Sequence, residues 1–265
     1  MTRAPVLSFD ASVVMITGAS KGIGLACALA FARAGATVAG ISRSQANLDT
    51  ARAALRAEGL DMHAIATDLT DEAAALAAVQ RVEDEIGPLS VLVNSAGAAR
   101  RYAPEQLGGA AFRQAMDAKY FSYMHVLDAV ARRMAGRKRG SIVNVIGQGG
   151  KSPGSFHIAG GAANAALMLA TVGYARAYAA AGVRFNAINP GLTRTGRVEE
   201  GLAVAAQSSG QSPEQVLAQQ VADIPMGRLA EPDEIANVAM FLASDLASYV
   251  SGAVIPMDGC AAPFI

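Results

Sequence analysis

The sequence predicts a single-domain α/β fold, a doubly wound parallel sheet with helices on both faces. Three observations point to it. Short continuous apolar runs alternate with longer stretches of helical pattern, and strands that are apolar throughout belong to a sheet buried on both sides. The first of these runs passes directly into a glycine-rich turn that opens a helix. No fixed-period repeat, low-complexity tract or linker breaks the 265 residues, so one domain covering 1–265 is favoured over two.

The elements follow in order. Val13-Val14-Met15-Ile16 is short, branched and apolar, and it runs into Gly18, Gly22 and Gly24. Ile23 to Ala34 then reads as a helix stopped at Gly35. A second strand, Thr37 to Ile41, precedes a helix from about Gln45 to Ala57. His63 to Ala66 is a third strand, with a helix from about Asp71 to Ile86 behind it. Val91-Leu92-Val93 is the fourth, followed by a helix over about Phe112 to Met134. Ser141 to Ile146 is the fifth, and an alanine-rich helix runs from about Gly161 to Ala181. Val183 to Ile188 is the sixth. A helix opens at Pro232, with Asp233 and Glu234 placed favourably in its first turn, and leads to a last strand near Ala253 to Met257. The polar stretch from about Thr193 to Ser212, within a substrate-loop region of about 192–225, is the most loop-like. Because ligands of open α/β sheets sit at the C-terminal strand ends, this stretch is expected to be a substrate lid.

Composition removes several function classes. An apolar fraction of 52% excludes a disordered chain. Lys+Arg and Asp+Glu are both 22, which leaves no electrostatic footprint for nucleic acid. Cys27 and Cys260 are too few for a disulfide framework and read as reduced thiols. Met1 to Asp10 lacks the apolar stretch of a signal peptide, and no run reaches the roughly 20 uninterrupted apolar residues of a membrane span. A cytoplasmic protein without a membrane or nucleic-acid partner is therefore expected. No His, Cys and carboxylate group has metal-ligand spacing, so no metal is expected.

The turn Thr17-Gly18-Ala19-Ser20-Lys21-Gly22-Ile23-Gly24 carries the first functional signal. Its glycines let the chain tighten and let backbone N–H groups approach a pyrophosphate at the helix N-terminus. The spacing Gly-x-x-x-Gly-x-Gly resembles that of the short-chain dehydrogenase/reductase family, and further landmarks follow in register. Asp68-Leu69 resembles the adenine-contacting pair, and Asn94-Ser95-Ala96-Gly97 the family's Asn-Asn-Ala-Gly motif. Pro190-Gly191 with Thr193 and Thr195 resembles the segment that closes over the nicotinamide. Pro225-Met226-Gly227-Arg228 and Ser251-Gly252 to Asp258-Gly259 match the C-terminal third, so the resemblance spans about 10–260. It implies a Rossmann-type fold, a nicotinamide dinucleotide at these residues, and a homodimer or homotetramer.

The choice of dinucleotide follows from charge. An acid about 20 residues past the glycines would bind a ribose 2′-hydroxyl and repel a 2′-phosphate. Ser42-Arg43 stands at the end of the second strand instead, and Lys21 adds a second cation. NADP(H) is favoured over NAD(H).

The resemblance then fails where chemistry is expected. Related reductases use a Tyr, a Lys four residues later, an upstream Ser and an Asn on the fourth helix. None of the six tyrosines here has that Lys. Laying Asn164-Ala165-Ala166-Leu167 on the family's Lys-Ala-Ala-Leu puts Gly160 at the Tyr, Asn164 at the Lys, Gly147 at the Ser and Lys119 at the Asn. Asn and Lys thus trade places. Lys119 is expected to return an ammonium to the pocket from the opposite helix, with Asn164 accepting its hydrogen bond. His157, three residues before Gly160, is titratable near neutrality and completes the candidate catalytic set. His63 and His125 read as structural, and Ser152 and Ser155 as turn formers or substrate contacts.

The leading expectation is an NADP(H)-dependent oxidoreductase for an unidentified small carbonyl or alcohol, with a noncanonical site. The alternatives are a non-catalytic dinucleotide-binding protein and a non-redox acid/base enzyme, a lyase or hydratase, on the same fold.

Overall fold

A computed structural model describes residues 7–97, 100–152 and 154–262. Most of the Met1–Asp10 segment, with its expectation of no signal peptide, lies outside the described residues. The sheet is built from β1 (Val13–Thr17), β2 (Thr37–Ser42), β3 (His63–Ala66), β4 (Leu89–Asn94), β5 (Gly140–Val145), β6 (Val183–Pro190) and β7 (Val254–Met257). All pairings are parallel, in the order β3-β2-β1-β4-β5-β6-β7. The order reverses between β1 and β4, which opens the crevice where doubly wound sheets bind ligands.

Alternation along each strand feeds two cores. Val14 and Ile16 point to one face, against Phe31 and Leu48 of α1 (Gly22–Arg33) and α2 (Gln45–Ala57). Val13 and Met15 point to the other, the face packed by α3 (Glu72–Glu85) and by Val126 and Val130 of α5 (Ser122–Gly136). Both sets are buried, which is why these strands read as continuous apolar runs.

Three elements differ from the sequence expectation. The helix expected over 112–134 is α4 (Gly109–Ala115), then a π-helical segment Met116–Phe121, then α5. The widened turn carries Lys119 and lies where Gly97 closes in. A Cβ at Gly97 would come within 2.4 Å of the Ala118 carbonyl oxygen. The supposed loop at 193–212 is largely helical, as α7 (Gly196–Ser209), with α8 (Pro213–Ala222) after it. Leu202, Ala206 and Val216 bury a small apolar seam between these helices, too sparse a pattern to stand out among polar neighbours. The alanine-rich helix is α6 (Ile158–Tyr178), which begins three residues earlier than expected and so takes Gly160 into its first turn. Its span with the following turn, Ile158–Ala181, is apolar and long enough to cross a membrane by length and composition, and half of that apolar window is buried inside the fold. The last helix is α9 (Pro232–Ala243).

Candidate active site

At the C-terminal ends of the central strands a buried polar ladder fixes the crevice. Thr17 Oγ1 donates to Asn94 Oδ1 (3.3 Å), Asn94 Nδ2 to Asn144 Oδ1 (3.0 Å), and Asn144 Nδ2 to Thr171 Oγ1 of α6 (2.9 Å). Strand register makes this possible, because Thr17, Asn94 and Asn144 lie directly opposite one another. Thr17 Oγ1 also accepts from the N–H groups of Ser95 and Ala96, both at 3.1 Å. Asn94 was expected to touch a cofactor. Its side chain is fully buried in the ladder instead, and its work is to hold the strand ends together.

The glycine turn sits on that base. Gly18 and Gly22 hold positive φ, +71 and +52, and a Cβ on Gly18 would come within 2.9 Å of the Ala96 backbone. A Cβ on Gly24 would come within 2.1 Å of the Gly18 carbonyl oxygen, so the helix can pack this closely only on glycine. Side chains cap α2, α3 and α8, whereas α1, like α4 and α6, has no side-chain cap and no acid in its first turn. The N–H groups of Gly22, Ile23 and Gly24 are therefore left without a side-chain acceptor, the arrangement that suits an anion. From the far side of the crevice, Pro190 and Gly191 lead to Thr193 and Thr195, and the Thr195 methyl lies 3.0 Å from where a Gly22 Cβ would be. The residues expected to enclose a dinucleotide thus face each other.

At the adenosine end, Ser20 and Ser42 share a 2.9 Å hydrogen bond that ties the turn to β2. Arg43 and Lys21 are exposed beside it. Asp68 is held below the usual carboxylate range, first by the Thr70 backbone N–H and also by the nearby Arg43 charge. Leu69 does not present its side chain there. It is buried in the core, and its carbonyl oxygen pairs with His125 Nδ1 at 3.0 Å, which gives His125 a structural role.

Beyond β5 the chain is built differently. Gly147 and Gly149 leave room for Asn164, whose Nδ2 would stand 3.3 Å from a Cβ at Gly147. His157 precedes α6 and its ring fills the space that a Gly149 side chain would occupy. Gly160 is buried in the first turn of α6. Asn164 Oδ1 and His157 Nδ1 are both buried without a hydrogen-bond partner among the described residues. Lys119 is buried, and desolvation first, with the Arg197 charge second, lowers its amine to about 7. Burial, then Arg101, Lys119 and Arg197, lowers His157 as well.

One expected contact is absent. Lys119 Nζ does not reach Asn164; it donates to Tyr123 Oη (2.8 Å) and to the Val145 carbonyl (3.3 Å), and Tyr123 Oη donates to that same carbonyl at 2.6 Å. A buried amine takes the nearest acceptors, and the buried carbonyl at the end of β5 is closer than the amide on α6. Tyr123 escapes a search for Lys four residues after Tyr because here Lys119 comes four residues before it. Arg101 and Arg197 also escape notice, since nothing local in the sequence marks them. Gln148, just past β5, reaches across the crevice to Asp258 Oδ2 at 2.8 Å. Ser152 and Ser155 are exposed, and the Ser152 N–H closes a turn on the Gln148 carbonyl.

The family described as Enoyl-(Acyl carrier protein) reductase matches residues 18–260. Cis-4-hydroxycyclohexanecarboxylate dehydrogenase of Sinomonas cyclohexanicum is 37% identical over 256 residues, 95% of this chain and 97% of that protein. NAD+-bound xylitol dehydrogenase superposes with a TM-score of 0.89 at 30% identity, over 94% of this chain and 98% of that one. A variant of actinorhodin polyketide ketoreductase with NADPH gives 0.92 at 25% identity, over 96% and 98%.

Proposed function

This chain belongs to the short-chain dehydrogenase/reductase family, and on that premise we propose that it is an NADP(H)-dependent oxidoreductase in which Lys119, His157 and Asn164 replace the family's usual Ser, Tyr, Lys and Asn. Relatives are described with either dinucleotide, so the preference rests on this chain's own charges. Arg43 and Lys21 flank the end of β2 where an acid would exclude a 2′-phosphate, and Ser20 and Ser42 add hydroxyl donors. The uncapped start of α1 and the glycine cradle fit a pyrophosphate. When bound, the nicotinamide supplies the hydride donor or acceptor.

What the protein supplies is a place for the proton. At neutral pH the imidazole of His157 is neutral, and its unpartnered Nδ1 is free to take a hydroxyl proton. Asn164 Oδ1, unpartnered beside it, is a second acceptor for that one proton and can hold the group in place before transfer. Lys119 has two of its three donors engaged and an amine near 7, which makes it a proton reservoir at the working pH. The observation that carries the reading is this pair of buried, unpartnered polar atoms at the C-terminal strand ends. Because Gly160 offers no phenol, reduction of ordinary small ketones or acetoacetyl thioesters is expected to be very slow. Turnover of such substrates at the usual enzymatic range of about 1–1000 per second would contradict the reading.

A second reading, a non-catalytic dinucleotide-binding protein, draws on Lys119 turning inward to Tyr123 and Val145. Calorimetric binding of NADPH together with a turnover screen separates the two, since only the first reading gives substrate-dependent change in nicotinamide absorbance. A homo-oligomer belongs to the proposal as well. Leu169 on α6 is 75% exposed and Val172, nearby on the same helix, 43%, an apolar strip suited to a second copy.

A further inference from the structure

Two arginines of this crevice, Arg101 and Arg197, have no part in the cofactor and proton-transfer roles described above, and their arrangement is specific. The Tyr102 N–H donates to the Phe156 carbonyl at 3.0 Å, which sets Arg101 beside His157. Arg197, in the first turn of α7, reaches across to the Gly97 carbonyl, Nη2 to oxygen 3.0 Å. One turn further along the same face of α7 stands Gly201. A Cβ there would lie 3.3 Å from Arg101 Nη2 and 3.4 Å from its Cζ. A glycine inside a helix costs about 0.5–1 kcal/mol relative to alanine. Here its bare surface is what allows the Arg101 guanidinium to lie against the helix, next to Arg197.

Two guanidinium groups, the Lys119 amine and His157 therefore converge on one end of the crevice. Among the described residues, none of the first three makes an ion pair, although Glu199 and Glu200 sit on the same helix. Elsewhere arginines find carboxylates readily, as Arg33, Arg137, Arg194 and Arg228 do. Like charges gathered without a counter-charge repel one another, and an anion entering between them relieves that repulsion.

We propose that the substrate of this site carries a carboxylate, held by Arg101 and Arg197, while its hydroxyl lies between His157 Nδ1 and Asn164 Oδ1, either of which can accept its one proton. The proposal rests on the oxidoreductase reading for the second half of that placement. The two arginines bring donors from separate elements, the loop after β4 and α7, so the carboxylate also bridges α7 to the body of the fold. The buried, unpartnered Asn164 Oδ1 is the independent sign that a hydrogen-bonding ligand belongs here.

The test uses the full chain saturated with NADP+ and a chain-length series of small hydroxy acids, from 2-hydroxypropanoate to 4-hydroxypentanoate, each beside its methyl ester. Binding is read by calorimetry and turnover by nicotinamide absorbance. At least one acid is expected to bind about tenfold or more tightly than its ester. Arg101→Gln and Arg197→Gln should each remove that advantage while leaving ester binding and NADPH affinity unchanged, the latter also showing that the variants fold. Equal binding of acids and esters, no binding of any acid at millimolar concentration, or arginine variants that weaken NADPH instead, would each overturn the proposal. Arginine-dependent acid binding without turnover would uphold the carboxylate site and reject the oxidoreductase reading.

Discussion

The turn after β1 and the loop after β5 lie at the same end of one sheet, yet they are built on different principles. The first works through backbone. Its glycines are dictated by positive φ and by contacts of 2.1–3.0 Å that a Cβ would make, and its donors are main-chain N–H groups. The second works through side chains, and on the proposed reading those have been redistributed. An amine arrives from the π-helical segment, an imidazole from the start of α6, and an amide stands where an ammonium is usual. On that reading the cradle is fixed by close packing of one turn, whereas the proton-transfer groups are drawn from separate elements that reach the same space.

The largest expected effect comes from separating the two regions outright. His157→Ala should lower turnover by about 100-fold or more, the usual worth of one positioned acid or base, with NADPH affinity unchanged in calorimetry. Full activity in that variant on an accepted substrate would remove His157 from the mechanism. Lys119→Met should cost a similar factor and also erase a stability signature. The folded amine titrates near 7 against 10.5 for the free side chain. Between those values the unfolded chain holds a proton that the folded chain does not, so stability through this group rises with pH across that window. Thermal unfolding from pH 7 to pH 10 should show the rise in the wild type and a flatter profile in Lys119→Met.

Next in size is the ladder beneath both regions. Asn144→Leu keeps the branched shape but leaves Asn94 Nδ2 without its acceptor, a loss of about 1–3 kcal/mol in stability. Denaturant unfolding should show it, together with poorer NADPH binding, because Thr17, which donates to Asn94, accepts from the N–H groups of Ser95 and Ala96 under the turn. A variant of normal stability would mean that the ladder does not hold the strand ends.

Smaller still is the charge at the adenosine end. NADPH should bind at least about tenfold more tightly than NADH, about 1.4 kcal/mol, and Arg43→Ala should lose most of that preference without loss of fold. Equal affinities in the wild type would reverse the NADP assignment.

How much of this is legible in the sequence follows the same divide. The succession of strands and helices, the glycine turn and the Pro190–Thr195 segment are readable because sheet burial and close backbone approach leave a local mark, continuous apolar runs and glycines at fixed spacing. Asn94 and Leu69 are readable as landmarks yet not in their roles, since spacing shows that a residue is required and not which way its side chain points. Residues 193–212 misread as loop because α7 buries only a thin apolar seam. Arg101, Arg197 and Tyr123 matter only through partners far away in the chain, and no local pattern encodes such a meeting.

The smallest effect is also the one that probes the comparison most finely. Tyr123 touches no substrate on this reading; it is a positioning residue whose hydroxyl accepts from Lys119 Nζ while donating to Val145. Burial holds its phenol well above the usual range, so it does not ionise in place of the amine. Tyr123→Phe leaves the ring, which Nζ overlies at 4.3 Å, and deletes one acceptor. A hydrogen bond to the charged form of an amine favours that form, so its loss should push the Lys119 amine further down. Turnover should fall by less than about tenfold, and the limb of the pH profile that belongs to Lys119 should move to lower pH. A merely structural tyrosine would change the rate or the stability and leave that limb in place. An unmoved limb with Tyr123→Phe, beside a limb that vanishes in Lys119→Met, would show that the amine is tuned by burial and Arg197 alone.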